Sequence, residues 1–276
     1  MARRLAYLGP PGTYSEEAAL LYDCDAELVA AASLPGVIDS LHIGEADEGI
    51  VPIENSLEGA VTFTADLLIH ETQFKIKSEL VLPIHHCLFA KEGTDLDAIE
   101  VVYSHPQSLG QCRDYLRRRF PDATRMPSLS NSAAVGEMVD SELNAVAIAG
   151  KRAASFFDVQ IIDESVEDNH SNATRFIVLA SEDGAPTGND KTSICFHFDA
   201  DRPGSLVGVL MEFSDRGINL NKIESRPTRL SLGRYFFLAD IEGHHEDEEV
   251  RHALEAIAEK ASTMKVLGSY PKFMSE

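Results

Sequence analysis

Residues 181–190 run Ser-Glu-Asp-Gly-Ala-Pro-Thr-Gly-Asn-Asp, without one large apolar side chain. Such a stretch has little to bury and reads as a linker. It cuts the 276 residues into two hydrophobic patterns, each long enough for a core of its own. Upstream, short apolar runs alternate with helical patterns. Residues 5–8, 49–53, 101–103, 144–150 and 176–180 read as strands, and 79–90 as one long extended stretch. Residues 16–21 begin a helix and 107–120 form another. Pro52 lacks an N–H and is expected at a strand edge or terminus. The alternation predicts an α/β domain with largely parallel sheets.

Past the linker the pattern changes. Residues 192–198, 218–225, 235–241 and 264–270 read as strands, and 202–215 and 246–261 as helices. The order βαββαβ is the ferredoxin-like arrangement. Such a domain binds ligands, binds partners or only dimerises, and the fold does not choose among them.

Composition narrows the partners. Forty-five acidic side chains stand against 24 basic ones, a net charge of -21. That surface repels nucleic-acid phosphates and anionic membranes, so neither is expected as a partner. Either the protein works in a concentrated-salt cytoplasm, where screening is short-ranged, or it is simply a soluble acidic enzyme. No run approaches the ~20 apolar residues of a membrane span. Gly9-Pro10-Pro11-Gly12 interrupts the start too early for a secretion signal. Cys24, Cys87, Cys112 and Cys195 form no C-x-x-C pair and read as small core residues of a reducing, cytoplasmic compartment. The neighbouring pairs His85-His86 and His244-His245 lack zinc spacing, and the second reads as a solvated turn before a helix. No metal is expected.

Candidate chemistry gathers at four junctions of the first domain. Gly9-Pro10-Pro11-Gly12-Thr13-Tyr14-Ser15 turns a strand into a helix, where Thr13 or Ser15 caps the helix and its N-terminus attracts an anion. It is not a P-loop, because the G-K-[ST] ending is missing. Glu54, Asn55 and Ser56 directly follow a strand, the usual position for ligands in open α/β sheets; helix capping is the alternative. Ser104-His105-Pro106-Gln107 also follows a strand, and Gln107 and Gln111 share a helix face four residues apart. The last junction is Asn169-His170-Ser171-Asn172-Ala173-Thr174-Arg175-Phe176. A hydroxyl and a planar guanidinium at the mouth of a buried strand suit a carboxylate; a polar turn before a core strand is the plain alternative.

Taken together these segments resemble the prephenate dehydratases over essentially the whole chain. The matching pieces are Tyr7-Leu8-Gly9-Pro10-Pro11-Gly12-Thr13-Tyr14-Ser15, Val51-Pro52-Ile53-Glu54-Asn55-Ser56, Ser104-His105-Pro106-Gln107 with Gln111, and Asn172-Ala173-Thr174-Arg175-Phe176. The second domain resembles an ACT regulatory domain. Gly204-Ser205-Leu206-Val207 and Glu224-Ser225-Arg226-Pro227 match that family's two phenylalanine-site motifs, with Ser205 where alanine is usual. The resemblance implies a two-lobed, type 2 periplasmic-binding-like catalytic domain over 1–183, a linker over 184–190 and a ferredoxin-like ACT domain over 191–276. The lobe crossings would fall in 79–90 and 157–172. It also implies the monofunctional form and a homodimer or homotetramer.

The implied reaction is the decarboxylating dehydration of prephenate to phenylpyruvate, with L-phenylalanine as effector and no cofactor. Thr174 resembles the family's proton donor to the departing hydroxyl. His105 is its competitor, because histidine titrates near neutrality. Arg175 is the expected carboxylate anchor. Asn55, Ser104 and Gln111 would orient the substrate, with Thr13, Ser15, Ser56 and Gln107 in support and Phe176 as an apolar wall. At the effector site, backbone amides after Gly204 would receive a carboxylate, with Ser205 and Ser225 alongside. Leu206 and Val207 would meet a ring, and Glu224 or Asn219 an ammonium group, beside Arg226. The rival functions are an arogenate dehydratase and a non-catalytic amino-acid sensor or binding protein.

Overall fold

The computed structural model describes residues 2–199, 202–228 and 233–274. The chain forms two compact units, Met1–Val61 with Val81–Phe176, and Thr62–Leu80 with Ile177–Glu276.

The first unit holds two α/β lobes. The chain opens with β1 (Arg4–Leu8), α1 (Tyr14–Tyr22), β2 (Glu27–Ala31), α2 (Leu34–His42), β3 (Glu48–Asn55) and the short β4 (Gly59–Ala60). β1 lies between β2 and β3 and runs parallel to both. Leu5, Ala6, Tyr7, Ile50 and Val51 are buried, as strands covered on both faces must be. Because β2 and β3 lie on opposite sides of β1, a crevice opens at the carboxyl end of β1. Pro52 lies inside β3 and not at its end. Pairing with β1 stops at Ile50, so the missing N–H breaks no bond of that ladder.

The chain then passes through α3 (Thr62–His70) and β5 (Lys75–Pro83) of the second unit and returns to build the second lobe. This lobe comprises β6 (Cys87–Ala90), β7 (Val101–Ser104), α4 (Pro106–Gln111), α5 (Arg113–Arg119), β8 (Thr124–Pro127), α6 (Asn131–Asp140), β9 (Ala145–Ala149) and β10 (Gln160–Glu164). The sheet order is β10-β6-β9-β7-β8. β7 is parallel to β8 and β9, whereas β6 is antiparallel to β9 and β10. The sheet is therefore mixed, where the sequence predicts largely parallel pairing. The extended stretch 79–90 is likewise two strands, broken at 84–86. Phe89 and Ala147 pack into a core on one face with Met138; Leu88, Val146 and Ile148 pack on the other with Leu116. Successive strand residues pointing to opposite faces produce both cores.

The helix predicted over 107–120 is broken at Cys112 into α4 and α5. Asp168 causes the break. Its carboxylate accepts from the N–H groups of Asp114 (2.8 Å) and Tyr115 (2.9 Å), and its own N–H donates to the Gln111 carbonyl at 2.8 Å. An external partner takes over the bonds a continuous helix would make itself. The first unit ends within β11 (Ala173–Ala180), and Thr174 and Arg175 lie within that strand, not in a turn before it.

The second unit contains α3 and β5 with β12 (Asp190–His197), α7 (Ser205–Ser214), β13 (Leu220–Pro227), β14 (Tyr235–Glu242), α8 (Glu248–Lys260) and β15 (Thr263–Pro271). Its sheet is ordered β13-β14-β12-β15 and is antiparallel throughout. With two helices this is the ferredoxin-like βαββαβ arrangement predicted. Ile194, Phe196, Val209, Phe213, Ile241 and Ile257 form its core. Lys265 Nζ donates to the carbonyls of Leu68 and Thr72 and so satisfies the end of α3.

His244 is 1% exposed, not solvated: Nε2 faces the Gly184 carbonyl at 2.9 Å and Nδ1 accepts from the Glu246 N–H. Cys24 is exposed, while Cys87, Cys112 and Cys195 are buried. Burial pushes the Cys87 and Cys195 thiols up to about 11. Among the described residues no helix is long and apolar enough to cross a membrane.

Candidate active site

The two lobes of the first unit share a cavity of about 690 Å³, lined by Leu8, Thr13, Tyr14, Ser15 and Ala31 from one lobe and by His105, Leu129, Ser130 and Asn131 from the other. Helices α1 and α6 both begin at it. Thr13 caps α1, accepting from the Glu16 N–H at 3.4 Å and donating to the Leu8 carbonyl at 3.1 Å. Ser130 caps α6, accepting from the Ala133 N–H at 3.0 Å. Two helix N-termini aimed at one cavity give it positive potential, which a highly acidic chain needs to admit an anion. Ser15 is 7% exposed and lines the cavity beside Thr13. Ser104 is fully buried and donates to the Ile148 carbonyl at 2.7 Å, with Asn131 Oδ1 at 3.1 Å. Asn131 Oδ1 accepts from the His105 N–H at 3.3 Å, which fixes that side chain on the cavity wall.

The densest polar contacts gather where β3 ends beside the start of β11. Asn55 Oδ1 accepts from the N–H groups of Leu57 (3.0 Å) and Glu58 (3.1 Å). Two backbone donors fix which end of the amide is oxygen. Asn55 Nδ2 therefore donates, its two hydrogens shared among Asn172 Oδ1 at 2.8 Å, Thr174 Oγ1 at 3.0 Å and the Ala173 carbonyl at 3.2 Å. Since Thr174 Oγ1 is an acceptor here, its own hydrogen is left to point elsewhere. Asn172 lies just ahead of β11, two residues before Thr174, and both side chains meet Asn55 Nδ2.

The orientation propagates. With Asn172 Oδ1 taken by Asn55, Asn172 Nδ2 donates to Gln111 Oε1 at 3.0 Å. His86 Nε2 lies 2.9 Å from the same oxygen. Gln111 Nε2 is buried and has no hydrogen-bond partner among the described residues. A buried donor left unmade costs ~1–3 kcal/mol, so an unspent amide beside an unspent hydroxyl marks a place where a ligand completes the bonding.

Arg175 is on the opposite strand face from Thr174, with Nη2 3.3 Å from Glu54 Oε2. Ser56 is a clasp. Its hydroxyl accepts from the Ala173 N–H at 2.9 Å and donates to the Ser171 carbonyl at 3.3 Å. His105 is the N-cap of α4, with Nδ1 accepting from the Gln107 N–H at 3.3 Å. Burial pushes its pKa below the ordinary histidine value. Gln107 thus enters the site through its backbone. Phe176 is 2% exposed and belongs to the core. The geometry brings Asn55, Gln111 and Thr174 together with Asn172 and His86. It keeps Arg175 on another face, and it puts His105 on the cavity wall rather than in this bond network.

The sequence reading omits Asn172, His86 and Tyr14 from the site. Strand alternation back from Thr174 points to Asn172. Nothing local marks His86 as buried and His85 as exposed. Beneath them Glu167 is 3% exposed. Burial pushes its carboxyl up, but bonds from the His85 ring, the His86 N–H and the His170 ring outweigh that and hold it down at about 2.

In the second unit Gly204 opens α7 with φ 91°, a conformation that favours glycine, and puts the first-turn amides of Leu206 and Val207 at the end of the helix, while the Ser205 N–H donates to the Arg202 carbonyl at 3.1 Å. Leu206 packs partly on the core, while Val207 is 60% exposed. Asn219 and Ser225 are exposed. Glu224 lies 3.5 Å from Lys222 Nζ and 3.9 Å from Arg226 Nη1, and Arg226 Nη2 reaches Asp66 of α3 at 3.3 Å.

Residues 5–184 match the prephenate dehydratase family and residues 200–259 the ACT domain. The chain is 41% identical over 270 residues to the bifunctional chorismate mutase/prephenate dehydratase of Pseudomonas aeruginosa, covering 98% of this chain and 73% of that one. It is 37% identical over 280 residues to the prephenate dehydratase of Methanocaldococcus jannaschii, covering 99% and 100%. A crystal structure of prephenate dehydratase from Arthrobacter aurescens in complex with L-Phe superposes with a TM-score of 0.90 at 33% identity, over 98% of this chain and 90% of that one.

Proposed function

The chain belongs to the prephenate dehydratase family, and we propose that it turns prephenate into phenylpyruvate with Thr174 as the donor to the departing hydroxyl. Prephenate is a dicarboxylate carrying a ring hydroxyl. Breaking the ring carbon–carboxylate bond releases carbon dioxide and sends an electron pair through the ring. The carbon–oxygen bond then breaks, and the hydroxyl leaves with one proton as water. The observation that carries the assignment is Asn55 Nδ2 at 3.0 Å from Thr174 Oγ1. It occupies the acceptor side of that oxygen and leaves its hydrogen for the substrate. Threonine is a weak acid, so it relays a proton while hydrogen-bonding the leaving oxygen. Gln111 Nε2, buried beside it, supplies the second donor.

His105 suits the acid role less well. Its Nδ1 accepts a backbone N–H and burial disfavours the imidazolium. A neutral imidazole is a poor acid but still donates a hydrogen bond to a carboxylate from Nε2. The second carboxylate falls to the α1 and α6 N-termini with Arg175 as the mobile charge. Exchanging Glu54 for a substrate carboxylate keeps that guanidinium paired. Arg175→Lys keeps the charge but loses the fork. KM for prephenate is expected to rise about tenfold, the size of one charge-assisted bond. An unchanged KM in steady-state assays moves the anchor to the helix ends. Prephenate and arogenate offered to the purified protein in parallel test the substrate reading; faster turnover of arogenate overturns it.

L-Phenylalanine binding at the ACT domain lowers this activity, as feedback by an end product. The effector segment is tied to α3 by Arg226 and Asp66, and α3 continues the same stretch of chain that carries Asn55 and Ser56. Asp66→Asn is expected to leave turnover without effector within about twofold and to weaken inhibition ~5–150-fold, the usual span of coupling energies. Phenylalanine titrations of the initial rate check this, and an unchanged inhibition curve removes Asp66 from the route. Val207, Met211 and Ile223 are 60%, 47% and 40% exposed and support self-association through this domain. Free, mostly buried cysteines support a reducing cytoplasmic setting.

A further inference from the structure

We propose that His86, held by Tyr14, is a positioning residue of the dehydration, acting through Gln111. The inference deepens the reading above and rests on Gln111 donating to prephenate. Asn55 and Asn172 fix Gln111 Oε1 as an acceptor, so the His86 Nε2 that lies 2.9 Å from it must carry a proton. His86 is 1% exposed, and burial outweighs the Gln111 bond and lowers its pKa, so the ring is neutral. A neutral ring protonated on Nε2 has an acceptor at Nδ1. The Tyr14 hydroxyl lies 2.6 Å from Nδ1 and 2.8 Å from the His85 carbonyl, and its one hydrogen, shared between these two acceptors and nearer to Nδ1, is the donor that Nδ1 meets.

The Tyr14–His86 pair thus pins one tautomer, and that tautomer pins the Gln111 amide. Without it the amide is held by Asn172 alone, and Gln111 Nε2 is free to swing off the substrate. Space for this arrangement is built in. A Cβ on Gly150 would come within 2.9 Å of the Tyr14 ring, so glycine at the end of β9 admits it. Tyr14 belongs to the first lobe and Gln111 to the second, and His86 lies in the segment 84–86 that leads into β6. The bond chain therefore also joins the two sides of the cleft.

His86→Asn keeps a polar side chain but is too short to reach Gln111, whereas the His86→Gln amide extends to the Nε2 position. Prephenate turnover is to be measured for both, for Gln111→Ala and for the double variant His86→Asn/Gln111→Ala, with melting temperatures confirming folded protein. The expected result is a fall in kcat of about 10–100-fold for His86→Asn with KM within about threefold, and recovery of most of kcat in His86→Gln. In the Gln111→Ala background His86→Asn should lower kcat by less than about twofold, because a residue acting through Gln111 has nothing left to position. Equal losses in both backgrounds, or wild-type kcat in His86→Asn, overturn the proposal. Wild-type activity in Gln111→Ala instead removes the reading it rests on, so the two failures are distinct. Should His86→Asn not fold, Tyr14→Phe takes its place. Imidazole nitrogen shifts should then show the Nε2–H tautomer lost in Tyr14→Phe, and its persistence with full activity contradicts the proposal.

Discussion

Replacing Thr174 with Ala is expected to lower the rate of phenylpyruvate formation by roughly 10²–10⁴, the scale of a lost proton-donating group. That is about 3–5 kcal/mol of transition-state stabilisation. The loss should fall on kcat rather than KM, because the leaving oxygen needs the donor most as its bond to carbon breaks. Thr174→Ser keeps a hydroxyl that Asn55 Nδ2 can still meet and should retain most of the activity. Thr174→Val keeps the shape and loses the donor, so it should behave as Ala. Steady-state rates of the three variants decide the matter. Equal turnover by Ala and wild type would pass the role to His105 or to water.

Asn55→Asp should be nearly as damaging, for a reason legible only in the bond pattern. One carboxylate oxygen still accepts from the Leu57 and Glu58 N–H groups. The other replaces a donor with an acceptor facing Asn172 Oδ1, the Ala173 carbonyl and Thr174 Oγ1. Thr174 relieves the clash by giving its hydrogen to Asp, and that spends the hydrogen the substrate needs. We expect a ~10²–10³-fold loss of kcat, with stability reduced by about 2–4 kcal/mol because Asn55 is buried. Combining Asn55→Asp with Thr174→Ala should cost little more activity than either change alone. If the two losses multiply, Asn55 acts independently of Thr174 and the orientation argument fails.

How far the sequence foretold this site depended on the range of the interaction. Apolar runs placed most strands, because burial on both faces of β1 and β9 leaves continuous apolar segments. The βαββαβ order of the second unit was legible from alternating strand and helix patterns instead, as in β13, where half-buried and exposed residues alternate. The break at Cys112 was not, since Asp168 causes it from more than fifty residues away in sequence. Thr174, Asn55 and Gln111 were readable from motif and resemblance. Their mutual orientation was not, because it starts from the backbone N–H groups of Leu57 and Glu58 and passes through Asn172. Arg175 and Thr174 stood together as neighbours in sequence, yet strand alternation sends them to opposite faces. Ser104 read as a ligand-binding hydroxyl, but full burial gives its hydrogen to the Ile148 carbonyl. His86 escaped notice because burial, which settles its protonation, is a property of the fold.

The most direct test is the absorbance of phenylpyruvate after the purified chain is mixed with prephenate, while L-phenylalanine is titrated in. The account predicts that phenylpyruvate accumulates with the protein alone and that the initial rate falls as phenylalanine rises. Phenylalanine binding without any phenylpyruvate formation would contradict it and would make the chain a sensor built on an enzyme's fold.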